Sequence, residues 1–236
     1  MILELLFPRK CLGCGKVGSY FCPDCLNLVL LKDEQICPVC GKGALEGLTH
    51  QFCRRPFGLD GLTSIFAYKG VVAEAIKKLK YKFVKDLAEE LVELFLSFCG
   101  EGKLFSYFCC LPNVVLVPIP LHPQRLRWRG FNQAELLGKL IAKNLGVKFA
   151  PDLLIRIRNT KPQVKLDKDQ RQVNIRRAFA LNRNCKLKIT PLADGQENWN
   201  FILFDDVWTT GATLKEAAKV LKRNGAKKVW GLTIAR

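Results

Sequence analysis

The sequence predicts an α/β fold, a parallel sheet flanked by helices, preceded by a small cysteine-rich module. Three observations carry that prediction. Near the C-terminus an apolar run, Phe201–Phe204, is followed by a helix-period stripe and then by a second apolar run, Val229–Ile234. Strand, helix and strand in that order make a crossover unit, which joins parallel strands. Upstream, Leu62–Tyr68 and Val114–Val117 repeat the buried-strand pattern, with amphipathic stretches between them. Seven of the eleven cysteines lie before residue 54, in closely spaced pairs.

The module spans residues 1–56 and the α/β domain residues 57–236. Its pairs are Cys11-x-x-Cys14, Cys22-x-x-Cys25, Cys37-x-x-Cys40 and His50-x-x-Cys53. No secretory signal is visible, since Met1–Arg9 carries Glu4 and no long apolar core, so a cytoplasmic location is expected. Such pairs then point to metal rather than disulfides. A two-residue gap lets both ligands of a knuckle face one tetrahedral ion, and eight ligands make two closed Zn²⁺ sites. The simplest pairing is sequential: Cys11, Cys14, Cys22 and Cys25, then Cys37, Cys40, His50 and Cys53. The spacing leaves an interleaved pairing open. Closed sites have no position for substrate, so structural zinc is expected, stabilising a segment too short to bury much core. Cys99, Cys109, Cys110 and Cys185 lack this spacing and read as small buried hydrophobes.

Pro56–Gly61 reads as a linker, Leu62–Tyr68 as a strand, and Val71–Leu79 and Asp86–Phe98 as helices. For the basic residues of Leu79-Lys80-Tyr81 a solvated helix face is preferred over one that meets a ligand. Leu104–Leu121 holds no charge over 18 residues, but Pro112, Asn113, Pro118 and Pro120 argue against a membrane span. Pro118–Pro123 ends the strand Val114–Val117, and Arg125, Arg127 and Arg129 follow, whose guanidinium groups suit bidentate phosphate contacts. His122 is given a structural role. Asn132 caps a helix that Gly146 ends, with Glu135 at its third position. Ile155–Ala180 is basic and too polar in its middle to pack as core. Asp194–Trp199 reads as a surface turn.

Phe201–Thr213 is the most informative stretch. Asp205 and Asp206 follow the strand, and Thr209, Thr210, Gly211, Ala212 and Thr213 lead into the helix, where Thr213 and Glu216 read as a capping box. Small residues let backbone N–H groups approach a ligand, and the helix start adds partial positive charge. That chemistry fits a phosphate monoester, with the two acids placed for sugar hydroxyls or a hydrated Mg²⁺. Gly-Lys-Thr nucleotide loops and Gly-x-Gly-x-x-Gly fingerprints are absent from the sequence. The net charge is +17, and +13 of it falls in residues 121–192, which carry 17 basic and 4 acidic side chains. So uneven a distribution calls for a polyanionic partner rather than for solubility.

Phe201–Thr213 resembles the ribose-5-phosphate-binding motif of type I phosphoribosyltransferases, and Asp-Asp-Val-Trp-Thr-Thr-Gly-Ala-Thr is especially similar to the ComF family of competence-associated proteins. Cys11–Cys53, Val117–Glu135 and Leu154–Ala180 support that closer match. The resemblance implies a type I phosphoribosyltransferase-like sheet behind a double zinc ribbon, with a cysteine more usual at His50. It implies phosphoribosyl pyrophosphate with Mg²⁺ as ligand, Asp205 and Asp206 as catalytic acids on the ribose, and Leu121–Phe131 as a pyrophosphate loop. Leu154–Ala180 becomes a flap that closes over the ligand.

Two functions follow as expectations. The first is Mg²⁺-dependent pentosyl transfer, with a role in DNA uptake implied by the resemblance. The second is a non-catalytic single-stranded DNA-binding protein on the same fold, with Trp128, Phe131 and Trp208 as stacking candidates.

Overall fold

The computed structural model describes residues 8–81, 85–100, 111–160, 168–185, 187 and 199–236. After a four-residue helix α1 (Pro23–Leu26) come β1 (Gly61–Phe66), α2 (Gly70–Tyr81), α3 (Lys85–Gly100) and β2 (Val114–Pro118). Then follow α4 (Pro123–Arg129), α5 (Gln133–Leu145), β3 (Lys148–Phe149), β4 (Leu154–Arg156), α6 (Lys168–Ile175) and β5 (Phe179–Leu181). The chain closes with β6 (Asn200–Val207), α7 (Ala212–Arg223) and β7 (Lys228–Ala235). Five strands form one parallel sheet in the order β1-β7-β6-β2-β3, while β4 and β5 pair antiparallel beside it.

Alternation along β6 decides which core each residue joins. Ile202 and Phe204 face α2, α3 and α5, whereas Phe201 and Leu203 face α7 and the β4–β5 pair. Both faces are covered, so the strands read as continuous apolar runs. β6 is longer than its apolar run: it carries Asp205 and Asp206 still in register with β7, Asp205 opposite Thr233. The acids therefore sit on rigid sheet rather than in a loop.

Helix α5 forms where its capping residues place it. The Asn132 side chain accepts from the Ala134 N–H at 3.2 Å and donates to the Ile119 carbonyl at 3.0 Å, tying the helix start to the end of β2. Gly146, at φ 66°, closes it. Leu121–Phe131 departs from the loop expected there. It holds α4, with His122 accepting from the Gln124 N–H at 3.3 Å, Pro123 in the first turn and Gly130 left-handed behind it.

The cysteine-rich module lies along the edge of the sheet. Backbone bonds run from Lys32 to Ile65 at 2.7 Å and from Ala67 to Leu30 at 2.8 Å. Gln35 takes the remaining edge groups, donating to the Ser64 carbonyl at 3.0 Å and accepting from the Ser64 N–H at 2.9 Å. An edge strand that would otherwise invite pairing is thereby capped. Residues 104–110 and 194–198, which include part of the uncharged stretch and the expected surface turn, lie outside the described residues, as do Cys109 and Cys110 and the side chain of Cys99. Cys185 is buried, as its apolar surroundings lead one to expect.

Candidate functional site

A cleft of about 610 Å³ opens where β2 and β6 end. In an open α/β sheet, ligands bind outside the carboxyl ends of the strands. Asp205, Asp206, Thr209, Gly211, Ala212 and Thr213 line one side, and Arg125 and Arg129 line another. Thr210 turns away to accept from the Ala212 N–H at 3.4 Å. Arg127, two residues from Arg125 on a helix, faces the far side of α4 and does not line the cleft.

The helix start differs from the sequence pattern. Gly211, at φ 71°, is the N-cap of α7, and no side chain caps the helix. The capping box read at Thr213 and Glu216 does not form. Glu216 accepts instead from the Arg177 N–H at 2.7 Å and pairs with Lys219 at 2.8 Å. With glycine at the N-cap, a ligand can approach the backbone at the start of α7 closely. Gly211 is needed twice over. Its φ disfavours a side chain, and a Cβ there would lie 2.1 Å from the Trp208 ring. Gly211→Ala is expected to cost about 1–3 kcal/mol through strain and clash. Thermal melting checks it: an unchanged melting temperature would show that the loop relaxes freely.

Lys80 is the clearest residue that sequence reasoning misassigned. Its ammonium lies 3.0 Å from Asp206 Oδ2, inside the cleft and not on a solvated face. Gln133 Nε2 donates to the same oxygen at 3.1 Å, and Arg129 donates to Gln133 Oε1. Asp206 is thus neutralised and fixed. Burial opposes the Lys80 charge, but Asp206 and then Asp205 outweigh it and raise its pKa. Asp205 has no such ion pair among the described residues. Burial first, and then the adjacent Asp206 charge, push its pKa up to about 7, although Lys80, the Asp206 N–H and Arg156 pull the other way. A carboxylate pinned by Lys80 and Gln133 beside one whose charge responds near neutrality suits a functional site.

Arg156, at the end of β4, is the second missed residue. Only 7% of it is exposed, yet it lines the cleft and its Nε has no hydrogen-bond partner among the described residues. Its guanidinium donates to Thr160 Oγ1 and rests 5.6 Å from the Phe179 ring centroid. Burial, and then Arg125, lower its pKa to about 10. Arg129 also has an unpartnered Nε. Arg125, which donates to the Thr160 carbonyl at 2.7 Å, is lowered by burial and by Arg129. Arg125, Arg129 and Arg156 thus line one cleft together, and guanidinium groups suit phosphate oxygens. The ends of the Leu154–Ala180 stretch are packed: Leu154, Ile175, Ala178 and Phe179 are buried in the second core. Residues 161–167, in the middle of the expected flap, lie outside the described residues.

The metal-ligand expectations come together in two clusters. Ligand atoms of Cys11, Cys14, Cys22 and Cys25 lie within 4.8 Å of one another, as do those of Cys37, Cys40, His50 and Cys53. The pairing is therefore sequential. Both knuckles use the same turn: the Gly15 N–H bonds to the Cys11 carbonyl and the Gly41 N–H to the Cys37 carbonyl, each at 2.9 Å. His50 Nε2 lies 3.0 Å from the Gly43 carbonyl, which can only accept. The proton therefore sits on Nε2, and Nδ1, 3.4 Å from Cys40 Sγ, offers its lone pair to the metal. Four soft ligands at each cluster fit Zn²⁺. Zinc bound there supplies cross-links in place of a core.

Fold and cleft together define an α/β protein with a five-stranded parallel sheet, a cleft lined by charges of both signs and a head with two zinc-binding cysteine clusters. A double zinc ribbon domain profile matches residues 2–55. DNA utilization protein YhgH of Salmonella typhimurium is 31% identical over 215 residues, 89% of this chain and 88% of the relative. Competence protein ComFC of Bacillus subtilis is 30% identical over 232 residues, 94% and 86% of the two chains. Competence protein F of Haemophilus influenzae is 32% identical over 128 residues, about half of each chain. The chain belongs to the ComF family. Among the described residues, no helix is long and apolar enough to cross a membrane.

Proposed function

We propose that this protein binds phosphoribosyl pyrophosphate in the cleft at the end of β6, and that it serves DNA uptake or utilization, as the names of its relatives suggest. The observation that carries the ligand assignment is the opposition of two walls. Paired acids and a glycine-capped helix start stand on one side, and three guanidinium groups on the other.

Each residue then has a part. The start of α7, from Gly211 to Thr213 with Thr209, takes the 5-phosphate. Asp205 and Asp206 accept from the ribose hydroxyls, with Asp206 pinned by Lys80 and Gln133. Arg125, Arg129 and Arg156 bind the pyrophosphate. Mg²⁺ arriving on the pyrophosphate would neutralise charge that develops as that group leaves. The acids stabilise positive charge at the ribose, and the guanidinium groups hold the leaving group. No nucleophilic side chain is required. The head, residues 1–56, is structural in this scheme, and residues 57–236 carry the ligand.

Phosphoribosyl pyrophosphate with Mg²⁺ should raise the melting temperature. Ligand at a hundred times its Kd adds about 2.7 kcal/mol, or roughly 5–10 °C for a domain of this size. The double variant Asp205→Asn with Asp206→Asn should show no shift. An unresponsive wild type, or a double variant that responds equally, sinks the assignment.

Binding of single-stranded DNA without catalysis is the second reading. Trp128, 74% exposed on the cleft rim, favours it. Trp208 does not, since it is buried against Gly211.

A further inference from the structure

A second concavity, of about 540 Å³, lies where the second zinc knuckle meets α7 and the end of α6. Arg55, Arg176, Arg177, Lys215, Lys219 and Arg223 line it, with Glu216 the only carboxylate in its lining. Six cations against one acid leave a net +5. Glu216 is already engaged by Lys219 and by the Arg177 N–H, so it offers little to offset the rest.

The charge is ordered. Lys215, Lys219 and Arg223 recur at every fourth residue of α7, so they form a row with steps of about 6 Å along the helix axis. That step is comparable with the spacing of phosphates along an extended polynucleotide strand. Arg176 and Arg177 add cations from the end of α6, and Arg55 faces them from the head. Pro38 and Val39 of the head, with Phe57 just beyond it, add an apolar wall. Phe57 is 43% exposed, and the Arg223 guanidinium lies 5.3 Å from its ring centroid. Cations tracking a backbone beside an accessible aromatic ring are what single strands use, because their bases are free to stack. A duplex keeps its bases inside and would gain nothing from Phe57.

We propose that this groove is a binding track for single-stranded nucleic acid, distinct from the cleft at the end of β6. For its ligand class the assignment rests on the DNA role proposed above, but it does not depend on the chemistry in the cleft. The two sites share a helix. The first turn of α7 faces the cleft through Ala212, Thr213 and Leu214, and Lys215 and Glu216 begin the groove. One wall of the groove belongs to the second zinc knuckle, so the track needs the metal-folded head.

The test uses the zinc-loaded full chain and a fluorescein-labelled oligothymidylate, followed by anisotropy across a salt series. Arg176→Glu with Arg223→Glu, both exposed positions, should weaken binding roughly tenfold or more and flatten the salt slope by about 1.4, the loss of two single-strand phosphate contacts. Phe57→Ala should weaken the oligonucleotide about fivefold or more and leave inorganic polyphosphate unaffected. A duplex of equal length should bind more weakly than the single strand. Melting temperature and the response to phosphoribosyl pyrophosphate should not change in either variant. Should the reversal variant lose fold, Arg176→Gln with Arg223→Gln gives the same readout in smaller measure. Full oligonucleotide affinity in the groove variants, with loss in Arg125→Ala and Arg129→Ala, would place the strand in the cleft and overturn the groove while leaving the DNA role standing. No binding by the wild type would overturn both. Equal binding of duplex, or an inert Phe57→Ala, would overturn the single-strand assignment.

Discussion

Chelation of zinc is expected to unfold the head and to lower the melting temperature of the whole chain. Beyond a few backbone bonds in the knuckle turns, the head depends on its two clusters, because few side chains in residues 8–56 are buried beyond the ligands themselves. Structural zinc sites of this kind contribute about 10–16 kcal/mol of apparent binding free energy, much of it spent in ordering the chain. The loss spreads to the α/β domain through identified contacts. Arg9 pairs with Asp86 at 3.0 Å and with Glu90 at 3.1 Å, and the Tyr20 N–H donates to Glu90 at 3.0 Å. Gln35 and the 31–32 backbone lie on the edge of β1, so their release exposes a strand edge to other molecules. Aggregation should therefore accompany chelation. Metal analysis should give two zinc ions per chain, one in Cys22→Ser, and one in His50→Ala. His50→Cys should keep both, since a thiolate replaces the imidazole nitrogen in a closed site. A metal-free chain that melts at the temperature of the loaded one would remove zinc from the account of stability.

What the sequence made legible was local. Cys11–Cys53 and Phe201–Thr213 could be read because their ligands are neighbours along the chain, and a two-residue gap or a strand-to-helix turn forces them together. The sheet followed from apolar runs that both faces of a parallel sheet require. What escaped were partners remote in sequence. Gln133 reaches Asp206 across 73 positions, and Lys80 lies farther away still. Nothing on α2 marks which of its lysines turns inward, because side-chain direction depends on where the helix crosses the end of β6. Arg156 looked like one cation among many in a basic stretch. Its burial comes from β4 pairing with β5, on which Phe179 shelters it. Two local signals were available and were outweighed: Pro123 with Gly130 frames a short helix, and Gly211 in the left-handed region supplants Thr213 as the start of α7. Of the stacking candidates, Trp208 belongs to the core.

Asp205→Asn is expected to make the ligand-free protein more stable at about pH 8 and insensitive to phosphoribosyl pyrophosphate, two changes of opposite value to the molecule. The native state holds a proton on Asp205 up to about pH 7, whereas the unfolded chain releases it near the ordinary carboxylate value of 3.8. Between those values the folded state binds more protons, so stability falls as pH rises, and the cost is complete above about pH 7. A rise of that size corresponds at most to about 4 kcal/mol, which partial solvent access of Asp205 reduces to on the order of 2 kcal/mol. Removing the charge should raise the melting temperature by roughly 4–8 °C at alkaline pH and by less at about pH 5, where wild-type Asp205 is mostly protonated. Comparing variant with wild type at each pH cancels the acid sensitivity of the zinc sites. Asp206→Asn should do the opposite, because it removes the carboxylate charge that balances the partly buried Lys80 ammonium and leaves that cation without its counter-charge. Neighbouring carboxylates with opposite effects on stability are the signature of a site that stores repulsion for a ligand to relieve. If Asp205→Asn lowers the melting temperature, or raises it equally at both pH values, then Asp205 is a structural acid and the ribose has no reason to sit beside it.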